Sequence, residues 1–322
     1  MHRIDRCNKM IFMATEIVSG LVSKIRQGDR RSLSRGITLV EENPGASREI
    51  IKAISRDTGK AIVIGVTGPG GAGKSTLINE VALRLQKGGH RVAVLAIDPT
   101  SHVTGGAFLG DRARMAPLTD AGVYMRSIGS RGSTGAVSSS IRDMIRLVDY
   151  AGYDLVVVES VGAGQTEVDI SKIADITAVV LNPKTGDRLQ MIKAGLTEIG
   201  DIYIVNKGDL NGASLLFSAV RDYVCDSRPG SSVLKLSAQT GAGIPALIEK
   251  IEALIPEKRA TKPAREKEMV KDELSTILST LVRSKLSDLI EGEECANLIE
   301  EIVAKKTDIV SAAEKIYSQI GL

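Results

Sequence analysis

The chain holds 322 residues, with 42 Lys and Arg against 39 Asp and Glu and a formal net charge of +3; a balance so close to neutral excludes a polyelectrolyte-binding surface as the default. Hydrophobic residues at 43% and charged residues at 25% exclude disorder and fibrous architectures, and aromatics at 3% with no Trp count against stacking platforms for single-stranded nucleic acid or sugars. Three scattered cysteines, Cys7, Cys225 and Cys295, and three histidines, His2, His90 and His102, give neither a disulfide framework nor a zinc-ligand spacing.

At the start, Met10 to Met13 is too short an apolar patch for a signal sequence, and Met10 or Met13 could serve as an alternative start. No apolar run approaches the 18 or so residues that span a bilayer, so the expectation is a cytoplasmic protein with no membrane or nucleic-acid partner. Helical spacing of Ile17, Leu21 and Ile25, then Leu33, Ile37 and Val40, then Ile50, Ile51 and Ile54 predicts two or three helices, interrupted at Pro44-Gly45. Short β-branched runs follow at residues 62–67, 91–97, 155–159, 178–181, 202–205 and 233–236, separated by helical stretches that include 75–87, 139–150 and 244–255. Strands apolar on both faces and alternating with helices predict an α/β fold, a doubly wound and mostly parallel sheet that ends near Pro256.

Beyond it, residues 257–271 are charged, carry Pro263, and read as a linker or a frayed helix start. Two helical stripes then appear, Leu274, Ile277, Leu278, Leu281, Val282 and Leu289, and Leu298, Ile299, Ile302, Val303, Ile309, Ala313 and Ile316. They either pack on the sheet domain or form an interface with a protomer or partner, since two helices have little core of their own. The division is therefore 1–56, N-terminal helices; 57–256, sheet domain; and 257–322, C-terminal helical region.

The strongest motif follows the first strand. Gly68-Pro69-Gly70-Gly71-Ala72-Gly73-Lys74-Ser75-Thr76 matches GxxxxGK[ST], in which glycines let backbone N–H groups face phosphate oxygens at a helix start, Lys74 adds a cation and Ser75 offers a hydroxyl to Mg²⁺. Gly68, Gly70 and Gly73 also satisfy GxGxxG with Asp98 at the end of the next strand, the pattern of an NAD(P)-dependent oxidoreductase. Lys74-Ser75 argues against that alternative, because a dinucleotide site needs neither group there. Downstream, the apolar run 155–158 delivers the Glu159 carboxylate beside the loop, with Gly162 positioned to offer an N–H to a γ-phosphate. Asn206-Lys207-Gly208-Asp209 is an NKxD element whose carboxylate can accept from guanine N1–H and the exocyclic amino group, a pairing adenine lacks; Ser237-Ala238 is its backbone companion at O6.

Asp98-Pro99-Thr100-Ser101, Gly110-Asp111-Arg112-Ala113-Arg114-Met115, Glu159 through Glu167, Thr185-Gly186-Asp187-Arg188-Leu189-Gln190 and Asn206-Lys207-Gly208-Asp209 together resemble the MeaB/ArgK family of metallochaperone-type P-loop GTPases. The resemblance spans nearly the whole chain, including Gly28-Asp29-Arg30-Arg31. It implies a SIMIBI-class P-loop fold binding GTP or GDP, with Mg²⁺ held by Ser75, Asp98, Asp111 and Glu159, and Lys74, Asp111, Glu159 and Gly162 as the catalytic set. Residues 101–115 are similar to switch I, 162–167 to switch II and 184–193 to a third switch reported by Asp187 and Lys193. The family's partners are adenosylcobalamin-dependent acyl-CoA mutases, chiefly methylmalonyl-CoA mutase, and its members form homodimers; older usage calls them lysine/arginine/ornithine transport ATPases or kinases, a second alternative. Gly208 stands where Ala is common and is expected to loosen its loop. Gln165 lies three positions beyond Gly162, so no side chain is an obvious orienter of the attacking water, and hydrolysis by the lone protein is expected to be slow. The His or Cys clusters of nickel-insertion GTPases are absent, and Pro69 occupies the place of the second lysine of partition ATPases.

Overall fold

The computed structural model describes residues 18–98, 118–129, 134–160, 170–184 and 198–318, with backbone only at 98, 134–139, 293 and 294. The chain divides into two compact units, Met1–Lys262 and Pro263–Leu322.

The first unit opens with α1 (residues 18–26), α2 (Arg30–Glu42) and α3 (Pro44–Ile54). Asp29 caps α2 by accepting from the N–H groups of Arg31 and Ser32, and the Ser32 hydroxyl bonded to it holds its carboxyl below the usual carboxylate range. Asn43 caps α3 through the Ala46 N–H, and Pro44 occupies the first helical position, where a missing donor costs nothing. Pro44-Gly45 therefore starts a helix directly.

Seven strands form one sheet: β1 (Ile62–Thr67), β2 (Val92–Asp98), β3 (Tyr124–Gly129), β4 (Leu155–Glu159), β5 (Ile176–Leu181), β6 (Ile202–Val205) and β7 (Ser232–Lys235). Their order is β3-β2-β4-β1-β5-β6-β7 and every pairing is parallel. In β1, β4, β5 and β6 every residue is buried, as a sheet covered on both faces requires. Sequence patterning missed β3, whose Tyr-Met-Arg-Ser-Ile-Gly composition suits an edge strand with two buried positions.

Helices α4 (Lys74–Lys87), α5 (Thr134–Tyr150), α6 (Ala213–Ser227) and α7 (Ile244–Ile290) complete the layers. One face packs α1, α2, α3 and α5 on β1 to β4 through Ile25, Ile37, Ile50, Met144 and Leu147. The other seats α4 and the first turns of α7 through Leu77, Leu85, Leu247 and Ile251. A smaller cluster joins α6 to β5 and β6 around Tyr203, Val220 and Val224.

Carboxylates staple the amino ends of the strands. Asp149, near the end of α5, accepts the N–H groups of Gly59, Lys60 and Ala61, the last two at 3.0 Å. Asp175 accepts from Val63 at 2.9 Å and Asp201 from Thr177 at 2.8 Å. Lys262 and Lys258, one turn apart on α7, pair with these last two at 3.3 and 2.7 Å. Asp149→Ala is expected to lower the unfolding free energy by about 2–4 kcal/mol, since three strand-entry donors lose one buried acceptor. Urea unfolding followed by circular dichroism checks this, and a loss below about 0.5 kcal/mol refutes the staple.

The second unit holds the rest of α7, then α8 (Glu293–Val303) and α9 (Ile309–Ser318), with Cys295, Leu298 and Ala312 buried. The stretch 257–271, expected as a linker or frayed start, is continuous helix within α7. Its Glu, Lys, Arg and Ala residues are strong helix formers, and their summed preference outweighs the roughly 3 kcal/mol that Pro263 costs. Val270, Leu274, Ile277, Leu278 and Leu281 of α7 are each about half exposed. Among the described residues no helix is long and apolar enough to cross a membrane.

Candidate nucleotide-binding site

β1 lies between β4 and β5, so the chain leaves it where successive connections diverge to opposite sides of the sheet, the crevice in which open parallel sheets bind ligands. The loop that emerges there is shaped by glycine. Gly68, Gly71 and Gly73 have φ values of 140, 76 and 91°. A Cβ on Gly68 would sit 2.1 Å from the Val180 carbonyl oxygen, and one on Gly73 2.5 Å from Asn206 Nδ2. A loop so closed to side chains presents backbone to whatever it encloses, which fits a phosphate group.

Lys74, the first residue of α4, is 7% exposed. Its ammonium donates to the carbonyls of Gly68 at 2.7 Å and Pro69 at 3.2 Å, placing the cation inside the loop. Ser75 follows, and its hydroxyl donates to Glu159 Oε1 at 2.7 Å, across 84 residues of sequence. Glu159 ends β4, and the N–H of Ser160, the next residue, bonds the Val66 carbonyl of β1 at 3.0 Å. A hydroxyl and a carboxylate in contact beside an anion cradle are hard oxygen donors, a set that fits Mg²⁺. Thr76 is exposed.

The second half of the site follows β6. Asn206 is 2% exposed and works in three directions: Nδ2 donates to the Ala72 carbonyl at 2.9 Å, while Oδ1 accepts from Lys207 N–H at 2.8 Å and Ala238 N–H at 3.0 Å. Lys207 adopts φ 55°, uncommon for a residue with a side chain, and its ammonium reaches the Gly71 carbonyl at 2.7 Å. The base motif is thus tied to the loop by two side chains. Asp209 is exposed at the rim, and the Ser237 hydroxyl, donating to it, holds its carboxyl below the usual range. It is ionised at neutral pH and loses its charge only as pH falls through that depressed value. Gly208, expected to loosen this loop, instead permits a close approach: its N–H bonds the Leu236 carbonyl at 2.8 Å, and a Cβ there would lie 2.9 Å from that oxygen.

The structure therefore brings together Lys74, Ser75 and Glu159 on one side and Asn206, Lys207, Asp209, Ser237 and Ala238 on the other. Asp98 is described only as the backbone end of β2, paired with Gly129. Asp111, Gly162, Asp187 and Lys193 lie outside the described residues. Sequence reasoning passed over Asn182, which is 1% exposed and donates to the Gly71 carbonyl at 3.2 Å. The available signal was a polar residue placed straight after the apolar run 178–181 that ends β5 and before a proline.

Comparison with known proteins decides which loop-and-sheet enzyme this is. The family model described as methylmalonyl Co-A mutase-associated GTPase MeaB matches residues 33–294. The chain belongs to the MeaB family. A protein of Pyrococcus abyssi named as a GTPase is 39% identical over 316 residues, covering 94% of this chain and 97% of that one. The methylmalonic aciduria type A homolog, mitochondrial, of Mus musculus is 34% identical over 255 residues, covering 70% of this chain and 60% of that protein. Among solved structures, a LAO/AO transport system kinase superposes with a TM-score of 0.66 at 25% identity, covering 95% of this chain and 98% of that one. A MeaB-family member is a P-loop GTPase that binds guanine nucleotide, so the dinucleotide reading of Gly68, Gly70 and Gly73 falls.

Proposed function

We propose that the chain is a GTP-hydrolysing chaperone that gates adenosylcobalamin loading or protection of an acyl-CoA mutase, with methylmalonyl-CoA mutase as the first candidate. The observation that carries the hydrolytic half is the Ser75–Glu159 contact beside the Lys74-lined loop. The partner half is supported by the description of the matching family model.

In this reading Lys74 and the loop N–H groups bind the β- and γ-phosphates, and Gly162 contributes a further N–H to the γ-phosphate. Ser75, Glu159, Asp98 and Asp111 supply the oxygens for Mg²⁺, which neutralises phosphate charge when bound. Asp209 accepts from the two guanine donors while Asn206 and Lys207 fix the base pocket to the loop. Hydrolysis needs water held in line with the β–γ bond, and the mutase would reorganise switch II at residues 162–167 and the third switch of Asp187 and Lys193 to complete that geometry. Slow turnover by the lone chain follows from this division of labour. The half-exposed apolar stripe of α7 supports homodimer formation through the C-terminal helices, and the reading places the protein in the cytoplasm.

A cognate mutase is expected to raise kcat for GTP by about tenfold or more, within the range that ordering a GTPase site provides. Phosphate release measured with and without methylmalonyl-CoA mutase tests it; an unchanged kcat removes the partner half. Asp209→Asn is expected to weaken GTP roughly ten- to hundredfold while leaving ATP unchanged, because a donor replaces the acceptor that pairs guanine. Calorimetric titration of both nucleotides reads this, and undiminished preference for GTP dismisses the base site.

A further inference from the structure

The end of β5 touches the phosphate loop twice. Val180 lies directly under Gly68, where a Cβ would come within 2.1 Å of its carbonyl oxygen. Two residues on, Asn182 sends Nδ2 to the Gly71 carbonyl at 3.2 Å, and its Oδ1 accepts the Lys184 N–H at 2.8 Å. Those two bonds use opposite ends of one amide, so its orientation is fixed: the acceptor is committed to a local turn and the donor is turned to the loop.

The Gly71 carbonyl also receives the Lys207 ammonium at 2.7 Å. Across a trans peptide, the carbonyl of Gly71 and the N–H of Ala72 point in opposite directions. Holding the oxygen from behind with two donors therefore aims the Ala72 N–H forward. That N–H donates across the loop to the Pro69 carbonyl at 3.2 Å, the same oxygen that the Lys74 ammonium reaches at 3.2 Å. Gly71, at φ 76° and with nothing within 4 Å of an added Cβ, adds no side-chain packing at its end of this peptide plane, whereas Ala72 is buried at the other. Hydrogen bonds to the Gly71 carbonyl hold the end that packing leaves free.

We infer that Asn182 is a positioning residue of the nucleotide site, clamping the Gly71–Ala72 peptide and with it the loop turn that the Ala72 N–H closes on the Pro69 carbonyl beside Lys74. The inference deepens the nucleotide-site reading and rests on it. Its role differs from that of Lys207, whose backbone belongs to the base motif; Asn182 carries the clamp from the residue directly after β5, at the end of a central strand of the sheet.

The test separates the donor to Gly71 from the turn at Lys184. Asn182→Ala removes both, whereas Asn182→Ser keeps a neutral acceptor for the Lys184 N–H and has no amide to reach Gly71. Dissociation of a fluorescent GDP from the full chain with Mg²⁺ is followed by stopped flow, below the melting transition of each variant. Both variants are expected to release GDP about tenfold faster than the wild type, the effect of one lost buried hydrogen bond on ligand positioning, with the preference for GDP over IDP unchanged. Wild-type release by Asn182→Ser would assign the residue to the turn and overturn the clamp. Release by Asn182→Ala within twofold of wild type, or a preference for GDP over IDP that falls with it, would do the same. A wild-type chain that holds no GDP at all overturns the nucleotide-site reading and the clamp with it.

Discussion

Lys74→Ala is expected to reduce GTP affinity by at least about a hundredfold and to leave no measurable hydrolysis. The ammonium is held inside the loop by the carbonyls of Gly68 and Pro69, in a residue only 7% exposed. Its position leaves it no route to act as a distant surface charge; it is a cation held at the loop itself. Truncation to Ala removes that charge and leaves two carbonyl oxygens facing anionic phosphates. Lys74→Arg is expected to fail nearly as badly, because a planar guanidinium does not fit a loop in which Gly68 and Gly73 already exclude a single Cβ. The fold should survive both changes, since α4 is seated by Leu77, Ile78, Val81 and Leu85 and these are untouched. Calorimetric titration with Mg²⁺ and GTP, alongside circular dichroism, separates the two effects. A folded Lys74→Ala protein that still hydrolyses GTP at the wild-type rate refutes the assignment of the phosphate loop.

Legibility in the sequence followed from how local each signal is. The phosphate loop and the NKxD element are each contiguous, so residue types and spacing alone single out Lys74, Ser75, Asn206 and Asp209 as candidates, and the structure adds the contacts that tie the two elements together. β1, β4, β5 and β6 were readable because burial on both faces leaves uninterrupted apolar runs. β3 was not, because an edge strand keeps polar side chains: Arg126 bonds Thr38 and pairs with Glu41, and the Tyr124 hydroxyl meets Ser34, all on α2 and some 90 residues earlier. No window of local sequence contains both halves of those contacts. α7 was cut short by a reading that ended it at Ile255 and took the charged, Pro263-bearing stretch beyond Pro256 as a linker or frayed start, although the N–H groups missing at Pro256 and Pro263 do not end a helix of 47 residues built largely from strong formers. Asn182 escaped for a further reason. Its partner, Gly71, lies 111 residues away, and a single amide at the end of a strand has no periodicity to betray it. Gly208 shows the reverse error, a local expectation of looseness overruled by the Leu236 carbonyl that only the folded chain brings against it.

The loop glycines offer the second large effect, and they are expected to differ sharply from one another. Gly68 and Gly71 both have positive φ, 140 and 76°, so an L side chain is strained at either position by roughly 1–3 kcal/mol. At Gly71 that is the whole cost, because nothing lies within 4 Å of an added Cβ. At Gly68 the Cβ would also stand 2.1 Å from the Val180 carbonyl oxygen and 3.0 Å from its carbon. Those are backbone atoms of β5, which is paired with β1 through Val66↔Ala178 and Thr67↔Val179 immediately before the loop. Relief requires prising β5 from β1 at the central seam of the sheet, so overpacking adds to backbone strain and the total reaches about 4 kcal/mol or more. Gly68→Ala is therefore expected to unfold at much lower urea than wild type and to bind no GTP even where folded, since the displaced strands carry both the loop and Asn182. Gly71→Ala should lose about 1 kcal/mol of stability and retain measurable binding. Equal destabilisation of the two variants would show that the seam between β1 and β5 yields more readily than its hydrogen-bonded register implies, and it would remove the rigid support on which the clamp by Asn182 depends.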